Sequence, residues 1–337
     1  MKRSLIVTVA VMPVLIALTL SGCVERGKEG ERSETEVKKM VAQFPNKEIR
    51  LICPPKQGGL SDFITRTLAF FTEKETGAKI VVENRPGAAG ATGMRFGATA
   101  RSDGYTVTYV TVESTILKHR KDINETVSYS DFELLARLNY GPASLSVKAD
   151  SPWQTFSDFI NQARANPGRL NVGNSGQYSI WHLASAVMAD ALGITLSYVP
   201  YDGAAPSIQD LLGGHLDAVV SSPSEVFTFM KSKQLRLLAI FGHERDPQFP
   251  GVPTAKELGH NVVVGAWGGL GVPKDTPRGI RNILYKKFKA GFDAPGFRQK
   301  CKDRSVTLGW QDFQTFARFA KAQDEMFARI LGSLSME

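Results

Sequence analysis

Hydrophobic and polar positions along this chain follow two rhythms. Short runs rich in Val, Ile and Leu, such as EIRLICP and AKIVVENR, have the length and composition of strands. Longer stretches between them carry apolar residues at helical spacing: DFITRTLAFFTEKETG, stopped by Gly77; TFSDFINQARANP, with Thr155 or Ser157 as cap; SIWHLASAVMADALG; APSIQDLLGGH; and PSEVFTFMKSKQ. YTVTYVTV, FELLARLN, ASLSVKA, LNVGNS, TLSYVPY, LDAVVSS and LRLLAIFG read as further strands, ATGMRFGATARS as a short helix, and VVVGAWGGLGVP as a longer extended run. Two helices, TPRGIRNILYKKFKAGF and DFQTFARFAKAQDEMFARIL, close the chain. Short strands alternating with amphipathic helices predict an α/β fold on mostly parallel sheets flanked by helices.

The first 43 residues break this rhythm. Met1-Lys2-Arg3 is a positive start, Ser4 to Leu20 is apolar apart from its hydroxyl residues and Pro13, and Leu20-Ser21-Gly22-Cys23 follows. This has the layout of a secretory signal. The ending LSGC resembles the lipobox of bacterial lipoproteins, which implies cleavage after Gly22 and a lipid on Cys23. Val24 to Gln43 is densely charged and poor in apolar residues, so it reads as a solvated tether. No other stretch reaches the roughly 18 apolar residues of a membrane span, so the expected mature protein is anchored to the membrane rather than crossing it.

Charge and cysteine content narrow the picture only slightly. The 337 residues carry 41 Lys and Arg against 33 Asp and Glu, a formal +8, and Lys2 and Arg3 belong to the leader. No Lys/Arg cluster is interleaved with aromatics, which argues against nucleic acid as a partner. Cys53 and Cys301 remain after Cys23; spacing leaves open whether they pair. No His/Cys cluster has zinc-site spacing, and no metal or other cofactor is expected.

In open α/β sheets ligands bind beyond the carboxyl ends of strands, so the strand-to-helix loops carry the candidate chemistry. The first, CPPKQGGLSDF, holds Gly58, Gly59, Ser61 and Asp62 before a helix. A helix start has unpaired N–H groups and a positive dipole end, and glycines let an anion approach closely; Ser61 or Asp62 also suits a capping role. The second, Asn84 to Gly93, has glycines spaced GxxGxxG, a poor match to a dinucleotide fingerprint. The third, Gly173-Asn174-Ser175-Gly176-Gln177-Tyr178-Ser179, is similar to a nucleophile elbow but has Gln177 where that motif has glycine. An exported α/β serine hydrolase using Ser175, with His215, His243 or His260 as downstream base, is therefore an alternative. The fourth loop contains Asp202 and Gly203, and the fifth is Ser221-Ser222-Pro223-Ser224. Such a set supplies hydrogen-bond donors without an assembled catalytic group.

Five segments, PPKQGGLSD, VENRPGAAGATG, SDGYTVTYV, NSGQYSIWHLASAVMADALGI and VPYDGAAPSIQDLLGGHLDAVV, resemble the extracytoplasmic solute receptors of tripartite tricarboxylate transporters, the Bug or TctC family; FPGVPTAKELG and AWGGLGVPKDTP also fit. The resemblance runs from about Phe44 to the end. It implies a two-domain periplasmic-binding-protein fold of type II with ligand in the interdomain cleft. It further implies a non-enzymatic receptor for a small carboxylate, and a membrane permease with one large and one small subunit as partner. It assigns Gly58, Gly59, Ser61 and Asp62 to a first carboxylate jaw, Asn174, Ser175, Gly176 and Ser179 to a second, and Asp202 to the same cleft. A receptor serving a signalling partner instead of a permease is compatible with the same residues. Departures from the family lie at Pro55-Lys56-Gln57, where an aromatic and an alanine are usual, at Ser61, where threonine is usual, and at Gln177-Tyr178. Lys56 is a candidate partner for a second carboxylate, or a surface lysine on a turn.

The expected organisation is a signal at 1–22, a tether at 23–43, a discontinuous first domain at 44–139 plus 264–337, and a second domain at 140–263. The chain is expected to cross between domains near Leu138 to Pro142 and return near Val262 to Trp267, with Trp267 either near the cleft or in the core.

Overall fold

The computed structural model describes residues 33–120, 126–201 and 203–334. The signal segment, Cys23 and Asp202 lie outside the described residues. The chain runs α1 (Glu34–Gln43), β1 (Ile49–Cys53), α2 (Leu60–Thr76), β2 (Ile80–Asn84), α3 (Ala91–Ala98), β3 (Thr106–Thr111), β4 (Phe132–Pro142) and β5 (Ser144–Lys148). It continues α4 (Phe156–Ala165), β6 (Asn171–Asn174), α5 (Ile180–Leu192), β7 (Ser197–Pro200), α6 (Ala204–Gly213), β8 (Ala218–Ser221), α7 (Pro223–Lys231) and β9 (Leu235–Ile240). β10 (Gly265–Pro273), α8 (Arg278–Asp293), α9 (Pro295–Asp303), β11 (Leu308–Asp312) and α10 (Phe313–Leu334) complete it.

The strands form two sheets, ordered β11-β4-β10-β3-β1-β2 and β7-β6-β8-β5-β9. The α/β class holds, but the sheets are mixed rather than mostly parallel. Parallel pairing joins β1 to β2 and β3, and β6 to β7 and β8, where helices return the chain to the same edge. β4, β5 and β10, the strands beside the crossings between sheets, run against their neighbours.

Those crossings are tied together. Only Ala143 separates β4 in the first sheet from β5 in the second, and the chain returns between Phe241 and Val264. Phe241 N–H donates to the Ala143 carbonyl (2.7 Å), Ala143 N–H to that of Val264 (2.9 Å), and Val264 N–H to that of Phe241 (3.0 Å). α10 then spans both layers. Its Phe316 and Phe319 meet the Trp267 ring of β10 edge-on, and its Arg329 pairs with Asp190 of α5.

Three elements escape the sequence reading. α1 occupies half of the stretch expected to be a tether: Ser33 and Glu36 cap it reciprocally, and Met40 and Val41 pack on the core of the first sheet. Gly279 of α8 makes room, since a Cβ there would lie 2.7 Å from a Val41 methyl. The high charge of the segment hid this short apolar face. α9 and β11 also form, from a polar stretch whose Phe297 and Cys301 are its buried anchors. Cys53 and Cys301 are both free and buried. Among the described residues no helix is long and apolar enough to cross a membrane.

β10 tolerates little bulk. A Cβ at Gly269 would sit 2.5 Å from the Phe316 ring and 2.6 Å from the Ala136 carbonyl oxygen, and the backbone contact cannot turn away. Gly269→Val is therefore expected to lower unfolding stability by about 3 kcal/mol, read as a fall in the urea midpoint; an unchanged midpoint would contradict the packing described.

Candidate functional site: a cleft at the strand ends

The site begins with backbone geometry. Gly58 adopts φ +89°, a left-handed conformation that side chains disfavour. Gly59 is extended and caps α2 without any side-chain bond. The N-cap therefore offers the opening turn of α2 no side-chain acceptor, at the positive end of a 17-residue helix.

Asp62 holds that turn in place from behind. Its carboxylate accepts from Gly58 N–H (3.0 Å), Arg66 Nε (2.9 Å) and Asn84 Nδ2 (2.8 Å). Asn84, at the end of β2, also donates to the Pro55 carbonyl (3.1 Å) and accepts from Arg66 (2.6 Å). Burial alone would raise the pKa of Asp62, which is only 4% exposed, but the Gly58 N–H, Asn84 and Arg66 together hold it below the ordinary value of 3.8.

In front of the turn lies a cleft of about 520 Å³. Lys56, Leu60 and Ser61 wall one side, and Pro86 to Gly90 another. Tyr109, Thr111 and Glu113 line it from the carboxyl end of β3, with Asn139 of β4 and Trp267 of β10. A second space of about 380 Å³ shares Leu60, Asn139 and Ala266 with it and reaches Trp181 of α5 and Ser222, Ser224 and Glu225 at the start of α7. The combined wall thus draws on both sheets.

The lining is rich in donors. Tyr109 Oη donates to Asn139 Oδ1 (2.7 Å), which fixes the Asn139 amide, and burial raises the Tyr109 pKa so that the hydroxyl stays protonated. Trp267 is 2% exposed and its Nε1–H has no partner among the described residues. It both packs in the core and lines the cleft. Glu113 is the acidic group on this wall, and burial raises its pKa above the ordinary 4.5.

The second loop joins the site. Gly87, Ala88, Ala89 and Gly90 all have positive φ (138°, 46°, 54° and 90°). For the two alanines this is costly backbone, of the kind stored at ligand sites. The turn is pressed against the first loop, because a Cβ at Gly93 would lie 2.8 Å from Pro54 Cα.

The third loop points elsewhere. Asn174 lines a separate 290 Å³ cavity with Gln177, Tyr178, His182, Tyr198, Pro200 and Leu334. Its Oδ1 accepts from Gly176 N–H (3.0 Å), while its buried Nδ2 has no partner among the described residues. Ser179 caps α5, accepting from His182 N–H (3.2 Å), and the Ser175 hydroxyl donates to Ser179 Oγ (3.1 Å). His182 Nδ1 accepts from Tyr178 N–H (2.9 Å), and burial lowers its pKa to about 4. Among the described residues the Ser175 hydroxyl bonds Ser179 rather than a histidine, so the hydrolase alternative gains no nucleophile–base pair from this loop.

Of the residues expected from sequence, Ser61 faces the cleft, while Gly58, Gly59 and Asp62 build the turn behind it. Asn174, Ser175, Gly176 and Ser179 belong to another loop, whose next turn delivers Trp181 to the shared wall. Tyr109, Glu113 and Asn139 were missed, and the Pro86–Gly90 turn, flagged as a candidate loop, was given no ligand-binding role. The crowding of Gly and Ala in GAAG signalled the turn; nothing local marks Glu113, which reads as the end of a strand. Among the described residues no cluster of His, Cys, Asp or Glu could hold a metal ion.

Two mixed α/β sheets with a donor-lined cleft at their strand ends define a solute-binding protein, and the relatives agree. The model described as tripartite tricarboxylate transporter family receptor matches residues 64–336, and the chain belongs to that family. It is 34% identical over 278 residues to a UPF0065 protein of Cupriavidus necator, covering 82% of this chain and 84% of that one. A TctC solute-binding protein from Polaromonas, solved without ligand, superposes with a TM-score of 0.80 at 30% identity, over 86% of this chain and 99% of the other. An R. palustris protein solved with adipate gives 0.69 at 25% identity, over 86% and 98%.

Because Asp62 organises the loop, Asp62→Ala should cost about 2 kcal/mol of stability at pH 7, leaving Gly58 N–H, Arg66 and Asn84 without their acceptor. Its folded pKa is depressed, so this stabilisation is present above the unfolded carboxylate value of about 4 and is lost as pH falls through the folded value. Wild type and variant should converge in acid; a constant difference in urea stability from pH 7 down to pH 2 would contradict this role.

Proposed function

We propose that this receptor captures a small organic carboxylate in the cleft and passes it to the large and small subunits of a tripartite tricarboxylate-type permease. The observation that carries the reading is the uncapped start of α2, held open by Asp62 and facing a cleft with further donors on Ser61, Asn139 and Trp267. An anion there gains from the orphan N–H groups and the helix dipole without needing a cation. Adipate in a relative of the same fold supports the chemical class.

The two sheets act as lobes, 44–139 plus 264–337 and 140–263, hinged where Ala143, Phe241 and Val264 are tied together. Ligand bridging the α2 start and the wall at Trp181 and Ser222 favours a closed state. Although it lines a separate cavity here, the third loop, with Asn174, Ser175, Gly176 and Ser179, is our candidate for the opposing jaw in that state. The LSGC sequence supports an extracytoplasmic protein held to the membrane by lipid on Cys23.

A thermal-shift panel of mono-, di- and tricarboxylates with their neutral amides tests the reading. Carboxylates at a hundred times Kd should stabilise the protein by about 2.7 kcal/mol, and the amides should not. Ser61→Ala should weaken the best carboxylate about tenfold, about 1.4 kcal/mol. Stabilisation by neutral sugars with no response to any carboxylate would overturn it.

A further inference from the structure

The cleft that gathers donors at one end holds a carboxylate of its own. Glu113 follows β3 in a short 3-10 turn, Val112–Thr115, and lines the same cavity as Leu60 and Ser61 of the first α2 turn. It makes no ion pair among the described residues; the Thr111 side chain and its own backbone N–H are its bonding partners. Lys56 is the cation among the lining residues, and it is exposed on the lip.

A half-buried carboxylate without a counter-ion is costly unless something that binds there offsets it. A second carboxylate on the ligand would meet Glu113 as a like charge in a confined space. A cationic nitrogen in the same place would gain a charge-assisted hydrogen bond. The flanking wall suits such a group, because the Tyr109 and Trp267 rings line the cleft too and aromatic faces attract cations.

We propose that Glu113 is a specificity-determining residue that recognises a cationic nitrogen on the ligand, so that the cleft selects amino-carboxylates over plain di- and tricarboxylates. This rests on the carboxylate reading above: the carboxylate end sits at the start of α2 and the ammonium end at Glu113. Glu113 then discriminates by repulsion as well as attraction.

The test is isothermal titration of the purified protein with matched pairs of equal chain length, 4-aminobutyrate against succinate and 6-aminohexanoate against adipate, with α-amino acids alongside. At least one amino-carboxylate should bind tenfold or more tighter than its dicarboxylate partner. Glu113→Gln, which keeps the side-chain shape, should weaken that amino-carboxylate at least tenfold and tighten the dicarboxylate. Glu113→Asp should restore the order, and the Tm of each variant monitors folding. Dicarboxylates that bind as well as or better than every amino partner in the wild type overturn the proposal while leaving the carboxylate site standing. So does a Glu113→Gln effect that is equal on both classes. If neither class binds, the underlying carboxylate reading falls with it.

Discussion

Everything at this site depends on one buried carboxylate. Asp62 accepts from the Gly58 N–H, Arg66 and Asn84, and so closes the first loop onto the end of β2. A side chain of a type suited to cap α2 from the front is instead engaged behind it. The helix start is left with donors facing open space, which is an unfavourable arrangement for an isolated helix and a useful one for a receptor. The cost is offset in part within the network itself, since one carboxylate serves the Gly58 N–H, the Asn84 amide and the exposed Arg66 guanidinium.

The remaining geometry follows from that choice. Asn84 leads directly into the Pro86–Gly90 turn, so fixing Asn84 also fixes the second wall of the cleft. Gly93 lets this turn close on Pro54, and the strained Ala88 and Ala89 are held between these anchors. On the other side, Gly268 permits the Tyr109 hydroxyl to reach Asn139; a Cβ there would lie 1.9 Å from Oη. The cleft is thus shaped by close backbone approaches on β10 and α3, and its polar groups are oriented before any ligand arrives.

Much of this was legible in the sequence. The strand–helix alternation gave the layers, and the bare backbone of Gly58-Gly59 marked an approach site. What local patterns could not reveal was the division of labour in the loop. Ser61 and Asp62 look interchangeable as caps, yet one faces the cleft and the other lies beneath it, because only the tertiary placement of Asn84 and Arg66 decides which oxygen is satisfied internally. Glu113 and Asn139 were invisible for a related reason: Glu113 follows β3 and Asn139 lies within β4, and the two strands reach one cleft only because β10 pairs with both. The mixed pairing of the sheets arises from the same crossings, which no periodicity encodes. The helix in the charged N-terminal stretch was masked by composition, since Met40 and Val41 find their apolar partners on α8 and beneath the first sheet.

The most direct test of the central claim is the amide proton and nitrogen shifts of Gly59, Leu60, Ser61 and Asp62 during titration with a bound carboxylate. The expected result is a saturable downfield movement of these amides, larger than elsewhere in α2, as orphan N–H groups acquire an anionic acceptor. Saturation of binding with these four resonances unmoved would contradict the claim that the uncapped start of α2 is the anion site.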